Sequence, residues 1–190
     1  MKVLFVIAAY NESKSIDQVV AHLLSANQQV LVVNDGSTDS TLEELQKFGD
    51  KIFIANHPIN MGQGSALQTG IECARILNPE YIVTFDADGQ HSLQDALAMV
   101  DYMEKNPKLE ISLGSRFLGT AENIPFIKVI TLKFGILFTR FFSGINLTDV
   151  HNGLRVLRKS FYQKFNFHQP AMEHAVSYTH LRAHETGRNL

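Results

Sequence analysis

Apolar residues fall along this chain in two alternating rhythms. Short runs rich in Val, Ile and Phe, at 3–8, 29–33, 51–55, 81–85 and 110–114, predict strands. Between them, stretches at 13–26, 38–48, 64–77 and 92–105 place apolar residues at helical spacing. The first of these puts Ile16, Val19, Val20, Leu23 and Leu24 on one stripe, with Ser13 as the expected N-cap. Regular alternation of this kind predicts an α/β fold, a parallel sheet covered by helices. In such sheets ligands bind beyond the carboxyl ends of the strands.

The polar clusters fall at those ends. Tyr10-Asn11-Glu12 follows the first strand, and Asn34-Asp35-Gly36-Ser37-Thr38-Asp39 follows the second. Asp86-Ala87-Asp88-Gly89-Gln90-His91 follows the fourth. If the chain stays extended there, Asp86 and Asp88 project the same way. Carboxylate oxygens with few soft ligands suit Mg²⁺ or Mn²⁺, completed by water and phosphate oxygens. Each cluster also has a plainer reading. Asp35-Gly36-Ser37 fits a turn and helix cap, Glu12 fits the start of a helix, and Ser92 fits the cap of the helix after the double aspartate. His91 is expected as a loop residue behind the site rather than a ligand. Gly62-Gln63-Gly64 matches neither the dinucleotide fingerprint nor the P-loop, and is expected to let the chain turn tightly into a helix.

Composition narrows the field. The chain has 190 residues and a formal net charge of -2, which fits one domain and argues against general nucleic-acid binding. The single cysteine, Cys73, leaves no internal disulfide and is compatible with a reducing compartment. The first apolar run is cut short by Tyr10-Asn11-Glu12, so it reads as a buried strand rather than a signal peptide.

Six segments, taken in order, resemble those of a family 2 glycosyltransferase with a GT-A fold. They are Ala9-Tyr10-Asn11-Glu12, Val33 to Asp39, Asn60-Met61-Gly62-Gln63-Gly64, Asp86 to His91, Gly114-Ser115-Arg116, and Asp149-Val150-His151-Asn152-Gly153-Leu154-Arg155. The nearest resemblance is to dolichol-phosphate mannosyltransferases and bacterial polyprenyl-phosphate glycosyltransferases. Two positions depart from the pattern: Ala8 replaces a common proline, and Asn34 replaces the first acid of a frequent Asp-Asp-Gly-Ser. The resemblance implies a Rossmann-like, mostly parallel sheet. It implies transfer of a sugar, with inversion, from a UDP- or GDP-sugar to a polyprenyl phosphate. Ala9, Tyr10, Glu12, Asp35, Asp86, Ala87 and Asp88 would line the nucleotide-sugar site. Asp39 would contribute there or orient the adjacent loop. Asp86, Asp88 and Gln90 would hold the metal.

The acceptor decides which further residues matter. A polyprenyl phosphate is already ionised and needs cations more than a base. Arg116 matches the arginine expected near that phosphate, with Arg155, Lys128 and Lys133 as further candidates; Arg155 also reads as a solvated residue after a turn. For a hydroxyl acceptor, Asp149 is the available general base, or it braces the Asn152-Gly153 turn. The segment 124–142 is apolar and basic. It reads as an amphipathic helix lying on a membrane surface, on the inner face of the cell membrane, or as an ordinary core helix. Residues 176–190 resemble translated sequencing-adapter sequence, so the glycosyltransferase domain is expected to occupy 1–175 and to be cut short. Two other readings remain. A sugar nucleotidyltransferase would need a Gly-rich basic loop after the first strand, where this chain has Ala8-Ala9-Tyr10-Asn11-Glu12. An inactive fragment would bind nucleotide without transfer.

Overall fold

The computed structural model describes residues 2–89, 91–114 and 153–164. Six strands form one sheet: β1 (Val3–Ala9), β2 (Gln29–Asp35), β3 (Phe53–His57), β4 (Tyr81–Asp86), β5 (Ile111–Leu113) and β6 (Arg155–Arg158). Their order across the sheet is β3-β2-β1-β4-β6-β5. The first four are parallel, and β6 runs antiparallel between β4 and β5. Helices α1 (Ile16–Ser25), α2 (Thr41–Gln46), α3 (Gln63–Leu77) and α4 (Leu93–Lys105) follow the first four strands, and α5 (Lys159–Tyr162) follows β6.

Both sheet faces are covered, which is why the inner strands read as unbroken apolar runs. On one face Phe5, Ile7, Val32, Val83 and Phe85 pack with Ile16, Val20 and Leu23 of α1 and Ala96, Val100 and Met103 of α4. On the other, Leu4, Val6, Leu31 and Ile82 pack with Leu67, Ile71 and Ala74 of α3 and with Phe161 and Tyr162. Helix α3 lies so close to β1 that a Cβ at Gly70 would come within 2.3 Å of Val6 Cγ1.

Three expectations are corrected. Ser13 is not the cap of α1: the helix begins at Ile16 after Ser15, and no side chain caps it. The Ser15 hydroxyl donates instead to the Glu12 carboxylate at 2.8 Å, and the Ser13 N–H is taken by Asp39. The third strand starts two residues later than the apolar pattern predicts, because Gly49–Lys51 forms a 3-10 turn. It also runs on through Asn56 and His57, whose side chains pair with Asn34 at 2.5 Å and Asp35 at 2.6 Å on β2. The second helix is limited to Thr41–Gln46, since the Asn11 side chain accepts from the N–H groups of Thr38 and Asp39. Ser92 caps α4 as expected, accepting from the Asp95 N–H at 3.2 Å.

The strand β6 escaped the sequence pattern, being only four residues long. It is fixed by arginine and tyrosine contacts to distant carbonyls. Arg158 Nε donates to Leu109 O at 2.7 Å, and Arg75 donates to Tyr162 O at 3.0 and 3.2 Å. The Tyr162 hydroxyl donates to Pro79 O.

Because Val6 is β-branched and buried against a strand, it has little room to move. Gly70→Ala should therefore destabilise the fold by about 1–3 kcal/mol, read as a lower urea midpoint with an unchanged slope.

Candidate active site at the carboxyl ends of the strands

The register brings the three polar clusters together. Ala9 ends β1 opposite Asn34 of β2, and Ala8 lies opposite Asp86 of β4. Asn11 then stitches the first two loops. Its own N–H donates to Ser37 Oγ at 3.0 Å, and its side-chain oxygen accepts from the Thr38 N–H at 2.8 Å. Its φ of 56° is left-handed, a conformation that asparagine tolerates better than most residues. The neighbouring Tyr10 is 44% exposed and stands at the mouth of this cluster.

Glu12 and Asp39 complete the stitching. The Glu12 N–H donates to Thr41 Oγ1 at 2.8 Å. Asp39 Oδ1 accepts from the Thr41 N–H at 3.0 Å and its hydroxyl at 2.5 Å, and Oδ2 accepts from the Ser13 N–H at 3.2 Å. Desolvation pushes the Asp39 carboxyl up, but the bonds from Thr41 and Ser13 together outweigh it and hold the group down at about 2. Asp39 thus ties the loop after β2 to the loop after β1.

Asp35, which the resemblance places in the nucleotide-sugar site, ends β2. It is 2% exposed. Oδ1 faces His57 Nδ1 at 2.6 Å and accepts from the Met61 N–H at 3.0 Å, while Oδ2 accepts from the Gly62 N–H at 2.8 Å. The carboxylate thus lies beneath the loop between β3 and α3 and holds it. Gly36 makes room for that loop: a Cβ there would lie 2.2 Å from the Ile59 carbonyl carbon. Gly62 has a φ of 90° and is the residue from which α3 starts, the tight turn expected of Gly62-Gln63-Gly64.

The double-aspartate loop is also shaped by its partners. The chain does not stay extended past Asp86: β4 ends there and Ala87 and Asp88 form a turn, with Ala87 buried and Asp88 exposed. The argument from strand alternation therefore fails, and the turn sets where the two carboxylates point. Asp86 Oδ2 lies 2.7 Å from His91 Nε2. Phe85 holds the His91 ring edge-on, with centroids 5.5 Å apart. From the other side Gly153 presses on Asp86. A Cβ at Gly153 would meet both carboxylate oxygens at 2.3 Å, and its carbonyl accepts from Thr84 Oγ1 at 2.6 Å. Gly153 thus packs directly against the Asp86 carboxylate.

Arg155 is buried in β6, paired across to Thr84 and Leu113, and is not a solvated turn residue. Gln90, Arg116, Lys128, Lys133 and Asp149, and the segment 124–142, lie outside the described residues. Among the described residues, no group of three or more His, Cys, Asp or Glu side chains is placed to hold a metal ion. Likewise, no helix among them is long and apolar enough to cross a membrane. Sequence reasoning missed His57, Thr69 and the contact of Gly153 with Asp86. The one available signal was the polar pair Asn56-His57 at the end of an apolar strand, matching Asn34-Asp35 on its neighbour.

Two measurements test this geometry. A depressed carboxyl stabilises the fold above its ordinary value of 3.8, and that contribution is lost as pH falls through about 2. The stability difference between the native chain and Asp39→Asn should therefore shrink between pH 4 and pH 2 in urea titrations. Gly153→Ala should displace the Asp86 carboxylate and destabilise the fold by about 1–3 kcal/mol, read as a lower urea midpoint.

Comparison with known proteins agrees with this geometry. The family model described as glycosyl transferase family 2 matches residues 4–165. An uncharacterised protein of Methanocaldococcus jannaschii, MJ1222, is 37% identical over 81% of this chain and 63% of its own length. The UDP-N-acetylglucosamine–dolichyl-phosphate N-acetylglucosaminyltransferase of Methanococcus voltae is 34% identical over 82% of this chain and 68% of its own length. The chain thus spans about two thirds of these relatives. Among solved structures, a mannosyltransferase from Pyrobaculum calidifontis in complex with GDP-Man and Mn²⁺ shares the fold. It aligns with a TM-score of 0.57 at 18% identity, over 83% of this chain and 44% of its own. A family model matched over residues 4–165, and a relative 34% identical over two thirds of its own length, show that the chain belongs to glycosyl transferase family 2.

Proposed function

We propose that this protein transfers a sugar, with inversion, from a nucleotide-sugar donor to a polyprenyl phosphate at a membrane surface. One observation carries the reading. The carboxylate of Asp86 is pinned between His91 and Gly153 at the carboxyl end of β4, with exposed Asp88 beside it and the stitched loops of β1 and β2 next in the sheet. A fixed acidic edge of this kind has no use for a bare anion, but it suits a diphosphate accompanied by a cation. The dolichyl-phosphate acceptor named for the Methanococcus voltae relative supports a lipid phosphate on the opposite side.

The chemistry follows from the donor set. Asp86 and Asp88 are hard oxygen donors that fit Mg²⁺ or Mn²⁺, with diphosphate oxygens and water completing the shell. Gln90 would join them. When bound there, such an ion would supply positive charge against the departing nucleoside diphosphate. The chain's own residues do the positioning. His91 and Gly153 fix Asp86, and the loops stitched by Asn11 and Asp39 bound the nucleotide end. An acceptor phosphate oxygen attacks the anomeric carbon in line. A new carbon–oxygen bond forms as the bond to the diphosphate breaks, and its electron pair leaves with the nucleoside diphosphate. An ionised phosphate needs no general base, so Arg116, with Lys128 and Lys133 as further cations, would hold the acceptor; Arg155, buried in β6, is set aside. The segment 124–142 would rest on the inner face of the membrane.

The test is a panel of radiolabelled UDP- and GDP-sugars with polyprenyl phosphate in detergent and Mg²⁺ or Mn²⁺. One donor should yield a lipid-linked product, and Asp88→Ala should lower that transfer at least about a hundredfold, in the range of losing one transition-state electrostatic contact. No lipid product from any donor, or full transfer by Asp88→Ala, overturns the reading.

A further inference from the structure

His57 is a half-buried histidine that the proposed transfer does not itself use. It lies opposite Asp35 in the register of β2 and β3, so their side chains share one face of the sheet. Its ring bridges two elements: Nδ1 lies 2.6 Å from Asp35 Oδ1, and Nε2 lies 2.8 Å from Thr69 Oγ1 on α3. Its side chain is 10% exposed and that of Asp35 3%. The carboxylate is an acceptor, so the ring must carry its hydrogen on Nδ1. In the tautomer with hydrogen on Nδ1 alone, Nε2 accepts from the Thr69 hydroxyl. Three donors converge on Asp35: this ring and the N–H groups of Met61 and Gly62. Two of the three belong to the loop that opens onto the nucleotide end of the site, so the orientation of the carboxylate sets the position of that loop.

We propose that His57 is the positioning residue for nucleotide binding. Through Nδ1 it orients Asp35, and through Asp35 it fixes the Met61-Gly62 backbone where the nucleoside of the donor is received. This rests on the nucleotide-sugar reading above. The relevant bond is the one to Asp35, and Thr69 serves only to keep the ring in the Nδ1–H tautomer. Truncating the ring leaves a buried carboxylate short of its strongest side-chain donor, which costs more than an exposed contact would. The loss should appear in binding of the nucleotide and not in the chemical step.

The two ring nitrogens can be separated by substitution. In His57→Asn the amide nitrogen takes the Nδ1 position and still donates to Asp35. In His57→Gln it reaches the Nε2 position and meets Thr69 instead. Calorimetry with UDP and with GDP in Mn²⁺ should show His57→Ala and His57→Gln weakened at least about tenfold for whichever nucleotide the native chain binds, and His57→Asn restored to within about threefold. For the transfer, KM for the donor should rise in His57→Ala while kcat stays within about twofold. Nitrogen NMR of the native chain should show the Nδ1–H tautomer at His57. Circular dichroism confirms that each variant is folded, and His57→Asn carries the test if His57→Ala is not. Should His57→Ala or His57→Gln bind as tightly as the native chain, or His57→Asn as weakly as His57→Ala, the positioning role is wrong while the transferase reading stands. A native chain that binds neither nucleotide overturns both.

Discussion

Carboxylates at the ends of buried parallel strands are the constraint on which this site depends. A charged group taken out of water has to be met by donors, or its burial is too costly to keep. Asp35 meets that demand with a histidine from the neighbouring strand and two backbone N–H groups from the loop beyond it. The loops are therefore not independent connections. Each is placed by what a strand-end polar group requires.

The same logic runs across the rest of the sheet edge. Asn11 and Asp39 satisfy N–H groups of one another's loops, so the segments after β1 and β2 form one stitched unit. Asp86 is held by His91 on one side and by the bare backbone of Gly153 on the other. Gly153 enters the sheet with β6, whose place is fixed by Arg158 reaching the carbonyls of Met103 and Asn106 at the end of α4 and of Leu109 beyond it.

Much of the fold could be read in advance from particular residues. The runs at β1, β2 and β4 and the stripe of Ile16, Val19, Val20 and Leu23 carry enough apolar area to settle their own conformation. The Ser92 cap and the glycine turn at Gly62 were legible because each rests on contacts within a few residues. Ser13 misled because Asp39, 26 positions away, claims its N–H. Strand β3 was misplaced because its end is held by side-chain pairs with β2 and not by apolar burial. Arg155 read as a turn residue because nothing local reveals that β6 inserts between β4 and β5.

By itself the sequence determined the alternation of strands and helices, the edge of the sheet where polar motifs gather, and which carboxylates stand there. Those follow from periodicity and local turn chemistry, which act over a few residues. Only the tertiary structure decided what each carboxylate touches. Asp35 was drawn under a loop by His57, Asp86 was pinned by His91 and Gly153, and the turn at Ala87 ended the extended geometry that alternation assumes. A hydrogen bond depends on the approach of atoms to about 3 Å. Strand register and the packing of distant segments set that approach, and neither is carried by the spacing of residues along the chain.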